Sequence, residues 1–77
     1  MPHGLFIWTF DDIERFLKDR NFTLNYTNGS HYYYVGHTKG VYRQVCVPFH
    51  NRKSIKPRTM SGIILQSGID KKEWINK

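Results

Sequence analysis

The sequence predicts an α+β fold, a two-layer α-β-β-β-α sandwich, and three observations carry that prediction. Apolar residues recur at helical spacing over residues 10–20. Three short segments rich in alternating, aromatic or β-branched residues follow, separated by turn signals. A second stretch of helical spacing then runs from Pro57 to Gly68. One helix, three antiparallel strands and another helix suit two layers packed around one core.

Each element has its own signal. Thr9 followed by Asp12 forms a capping-box-like start, with Asp in place of the usual Glu, and Trp8 and Ile13 occupy the two positions of a hydrophobic staple. Phe10, Ile13, Phe16 and Leu17 then share a helix face. Asp11, Asp12 and Glu14 near the start, and Lys18 and Arg20 at the end, suit the helix dipole, and Asn21 supplies a stop. Phe22, Leu24 and Tyr26 alternate with polar residues, which predicts a first strand. Asn28-Gly29 is the strongest turn signal in the chain. Residues Ser30 to Gly36 read as a second strand, His37-Thr38-Lys39-Gly40 as a turn, and Val41 to Val47 as a third strand that Pro48 ends. Phe49 to Lys56 is a basic loop. Pro57 suits the first turn of a helix, Met60, Ile63, Ile64 and Ser67 form its stripe, and Gly68 its stop. Asp70 with Glu73 supplies a cap for a short last helix through Trp74 and Ile75.

A chain of 77 residues makes one domain, residues 1–77, and buries only ~60% of the surface it exposes when unfolded. The single cysteine, Cys46, cannot form an internal disulfide, so a reducing, cytoplasmic location is expected. The apolar run Leu5-Phe6-Ile7-Trp8 is too short for a signal sequence, and no segment has the length of a membrane span. Twelve Lys and Arg against six acids give a net charge of +6, which favours a polyanionic partner, nucleic acid being the commonest. Four of those acids (Asp11, Asp12, Glu14 and Asp19) lie in the first quarter, and none falls between Asn21 and Ile69. That central stretch holds Lys39, Arg43, Arg52, Lys53, Lys56 and Arg58.

Two histidines fall at one end of the predicted sheet. A turn centred on residues 38 and 39 pairs Gly36 with Val41 and sets His31 opposite Cys46, with His50 four residues further on. A one-residue slip in register would send His31 to the other face, so both faces stay open at this point. RNA cleavage needs a base for the ribose 2′-hydroxyl, cations for the phosphate and an acid for the leaving oxygen, and histidine suits both proton roles. A metal-dependent nuclease needs clustered carboxylates, which the acid-free stretch lacks. The four dispersed histidines and one cysteine have no zinc-ligand spacing. Neither a metal nor a small-molecule cofactor is expected.

Plainer readings stand beside these. A histidine next to a tight turn is commonly structural. His3 and His37 read as tail and turn residues. Tyr32, Tyr33, Tyr34 and Tyr42 could stack on unpaired bases or fill the core, with at most one face free. Arg52, Lys53, Lys56 and Arg58 could grip phosphates or form a solvated loop. Cys46 reads as a small buried residue rather than a nucleophile.

Three pieces of the chain resemble the HicA (YcfA-like) family of toxin ribonucleases. They are Gly29-Ser30-His31, Val47-Pro48-Phe49-His50, and Ile55-Lys56-Pro57 with Thr59-Met60, Ile63-Ile64 and Ser67-Gly68-Ile69. The resemblance covers about residues 10–69. It implies a fold like the double-stranded RNA-binding domain, with both helices on one face of a three-stranded sheet. It also implies a ribosome-independent mRNA-cleaving toxin, neutralised by a HicB-type antitoxin. On the family pattern His31 is the catalytic histidine, Gly29 and Ser30 form the turn that positions it, and His50 matches a recurrent histidine. This chain has Asn28 where the family often has a cation, Arg58 where it often has Gly, and Asn21 where Gly is usual. Two other functions fit the same residues: a non-catalytic RNA-binding module, and an interaction domain working through a partner protein.

Overall fold

The computed structural model describes residues 7–50 and 53–75. In chain order it contains α1 (Phe10–Asp19), β1 (Thr23–Asn28), β2 (His31–Thr38), β3 (Val41–Pro48), α2 (Pro57–Ser67) and α3 (Lys71–Ile75). This is the expected α+β order, with the short last helix in place.

The capping box that opens α1 is complete. The Asp12 N–H donates to the Thr9 hydroxyl at 3.3 Å, and the Thr9 N–H donates to the Asp12 carboxylate at 3.0 Å. At its other end the N–H groups of Arg20 and Phe22 both donate to the Leu17 carbonyl, and Asn21 sits between them at φ 67°. Asparagine tolerates that left-handed backbone, which turns the chain out of the helix and into β1. Pro57 opens α2, and Gly68 closes it at φ 73°.

The three strands form an antiparallel sheet in the order β1-β2-β3. Tyr34, Val45 and Val47 share a core with Ile13, Phe16 and Leu17 of α1 and Met60 and Ile63 of α2. Side chains alternate along a strand, so both helices cover one face of the sheet, and Tyr33 and Cys46 belong to the other. Ser67, the buried polar residue in the α2 stripe, is satisfied: its hydroxyl donates to the Ile64 carbonyl at 2.7 Å and accepts from the Ile69 N–H at 3.1 Å.

Three local expectations are corrected. The β2–β3 turn is Lys39-Gly40, with φ 52° and 80°, not residues 38 and 39. Positive φ at both central residues matches the twist of the strands, and Lys39 hides that turn because Asn or Asp usually fills its position. Thr38 therefore pairs with Val41, Gly36 with Arg43, and His31 with Pro48 rather than Cys46. His37 is consequently a strand residue, its ring edge-on to Tyr42 at 5.5 Å. Next, the β1–β2 loop is Gly29-Ser30, so Asn28 ends β1 and Ser30 lies in the turn, not in β2. Gly29 at φ 60° takes the first central position, where that conformation is required. Finally, the alternation of Phe22, Leu24 and Tyr26 is broken. Phe22 is buried ahead of the strand, and pairing slips between Leu24↔Tyr34 and Tyr26↔Tyr33 through a bulge at Asn25.

Candidate functional site

His31 and His50 meet at one recess of about 450 Å³, lined also by Cys46, Pro48, Thr59, Gly62, Ile63 and Gln66. The local chain explains how both histidines arrive there. The Gly29-Ser30 turn delivers His31 as the first residue of β2, opposite Asn28 on one side and Pro48 on the other. Pro48 has no N–H and ends the ladder, but the next N–H, of Phe49, donates to the Ser30 carbonyl at 2.7 Å. The Phe49 ring is held edge-on to Phe10 at 5.1 Å and lies 5.9 Å from Tyr32. His50 thus leaves an anchored residue beside the turn that carries His31. The Lys53 N–H then donates to the His50 carbonyl at 2.9 Å, bending the chain back.

The far wall of the recess comes from α2. Thr59, Gly62 and Gln66 are spaced i, i+3, i+7 and share a helix face. The Gln66 side-chain oxygen accepts the Cys46 N–H at 2.9 Å, so α2 also covers an N–H on the free edge of β3. The sequence alone does not single out these three residues. Their helical spacing is visible, but their relevance depends on where α2 crosses the β3 edge.

Both histidines are exposed, and among the described residues no carboxylate lines the recess. Cys46 is half-buried on the outer face, not a core residue as expected. A hydrogen bond with Cys46 is the main cause that pushes the Tyr33 hydroxyl above its ordinary value. Of the expected phosphate-binding cations, Lys53 and Lys56 are exposed on the segment joining His50 to α2 and Arg58 is exposed in the first turn of α2, and none lines the recess. Arg52 and His3 lie outside the described residues. Tyr32 and Tyr34 face the helices, Tyr34 fully buried and Tyr32 packed against the core, so of the four expected tyrosines only Tyr33 and Tyr42 remain on the outer face.

Fold and recess together define a small α+β sandwich domain in which His31 and His50 gather at the open end of a β-hairpin. Residues 10–69 match the family described as the HicA toxin of bacterial toxin-antitoxin systems, and the chain belongs to that family. Membership implies an antitoxin partner. Comparison with curated proteins and with solved structures found no match. Among the described residues no helix is long and apolar enough to cross a membrane.

Proposed function

We propose that this toxin is a ribonuclease that cleaves mRNA without the ribosome and without a metal ion, using His31 as general base. The observation that carries this reading is the recess that His31 and His50 share. In the reaction, His31 takes the proton of a ribose 2′-hydroxyl, and the 2′-oxygen attacks the adjacent phosphorus. The bond to the 5′-oxygen breaks, and that oxygen receives a proton, leaving a cyclic phosphate on one fragment and a hydroxyl on the other. His50 serves as the acid for the leaving oxygen or as a phosphate ligand. Arg52, Lys53, Lys56 and Arg58 hold the RNA backbone by charge. Gly29 and Ser30 act by positioning His31. A HicB-type antitoxin neutralises the enzyme, and both work in the cytoplasm.

The test is cleavage of single-stranded RNA in EDTA by wild type, His31→Ala and His50→Ala. Loss of a general base typically costs about 10²–10⁴-fold in rate, so His31→Ala falls by that factor while keeping its circular dichroism spectrum. Salt-dependent RNA binding by wild type and His31→Ala alike, without cleavage by either, identifies a non-catalytic RNA-binding module instead.

A further inference from the structure

The outer face of the sheet carries an aromatic pair beside the recess. The Tyr26 and Tyr33 rings lie parallel, 4.4 Å apart with 8° between their planes, and Tyr26 is 48% exposed. The bulge at Asn25 builds this pair. Regular pairing continued from Leu24↔Tyr34 would set Tyr26 opposite Tyr32, on the helix side; the extra residue moves it opposite Tyr33 and sets Asn28 opposite His31. Bulges commonly re-aim side chains in this way next to functional sites. Tyr33 stands two residues along β2 from His31 on the same face, roughly 7 Å away at the rise of a strand. Cys46, directly opposite Tyr33 on β3, lines the recess itself and so joins the pair to its wall.

We infer that the substrate is an unpaired RNA strand, and that a base next to the phosphate held at His31 stacks on the Tyr26–Tyr33 pair. The inference rests on the ribonuclease reading above and adds the substrate class and the residues that select it. A duplex hides its base faces and is held through phosphates, 2′-hydroxyls and shape, whereas an unpaired base offers a ring face to an aromatic platform. Charge agrees: no acid lies between Asn21 and Ile69, so nothing within β1, β2 or β3 repels a polyanion crossing from recess to rings.

The experiment measures binding of a non-cleavable single-stranded oligonucleotide, 2′-O-methylated throughout, to the full chain, with the matching duplex as control. Tyr26→Leu and Tyr33→Leu each weaken single-strand binding by about five- to 150-fold, Tyr26→Phe and Tyr33→Phe restore it, and duplex binding is weaker throughout and insensitive to all four. Unchanged affinity in correctly folded Leu variants, or a duplex bound as tightly as the single strand, overturns the inference. Should the Leu variants not fold, ultraviolet cross-linking of a 4-thiouridine strand to wild type decides: adducts at Tyr26 or Tyr33 support it, and adducts confined to other residues overturn it. Tyrosine-dependent binding without any RNA cleavage would sink the ribonuclease reading and leave the stacking surface standing. Cleavage and binding indifferent to both tyrosines would do the reverse, and leave this face to a protein partner.

Discussion

Tyr34 is fully buried, and its hydroxyl donates to the carboxylate of Glu14 on α1. Burial first, and that hydrogen bond second, push its ionisation well above the ordinary 10.0. The unfolded phenol loses its proton above that value while the folded one keeps it. The contribution is therefore complete below pH 10 and declines as the pH rises further. Tyr34→Phe is expected to cost about 0.5–1.5 kcal/mol in urea unfolding at pH 8, with the gap to wild type narrowing above pH 10. A gap that stays constant to pH 11 contradicts this assignment. Gly36 shows a different constraint, since a Cβ there would come within 2.8 Å of the Phe22 ring. Gly36→Ala should lose about 1–3 kcal/mol, the usual range for overpacking, by the same measurement.

At the scale of elements, the aromatic cluster joins segments outside the family match to the core. Trp74 of α3 stacks on Phe16 of α1 with centroids 3.8 Å apart, and Trp8 meets both rings edge-on, at 5.6 Å from Phe16 and 5.3 Å from Trp74. Arg20 lies 3.7 Å over the Phe16 ring and donates to Glu73. Both tryptophans are fully buried, although residues 8 and 74 fall beyond positions 10–69. Trp74→Ala is thus expected to cost about 3–5 kcal/mol, a large share of a small domain's stability, visible as a lowered Tm. The helices were the most legible elements. Capping residues, an apolar stripe and a terminal Gly act locally, so Thr9, Met60, Ile63 and Gly68 carry their meaning in sequence. The hairpins were less so. Lys39 adopts a backbone usually left to Asn or Gly, and the bulge at Asn25 has no local signature because it depends on pairing with β2. The juxtaposition of His31 and His50 was legible despite a pairing two residues out of place, because side chains repeat every two residues and such a shift preserves the face. The α2 wall was not, since it depends on how a helix crosses a sheet edge.

Across the whole molecule, charge is divided by region. Asp11, Glu14 and Asp19 line a separate depression on α1 with Arg15 and Lys18, while the acid-free stretch carries the recess and Lys53, Lys56 and Arg58. Binding of single-stranded RNA should weaken with salt in proportion to the phosphates neutralised. Replacing one of these three cations with Gln should reduce the log–log slope by about 0.7 wherever it contacts a phosphate. Slopes identical to wild type in all three variants would remove this segment from the RNA path.

The account depends most on His31 as the base of a metal-free reaction. Its most direct test is the single-turnover rate of RNA cleavage in EDTA, measured for wild type and His31→Ala side by side. The account predicts cleavage by wild type in EDTA, and a folded His31→Ala protein slower by about 10²–10⁴-fold. Equal rates in the two proteins, or cleavage that vanishes in EDTA, would contradict it.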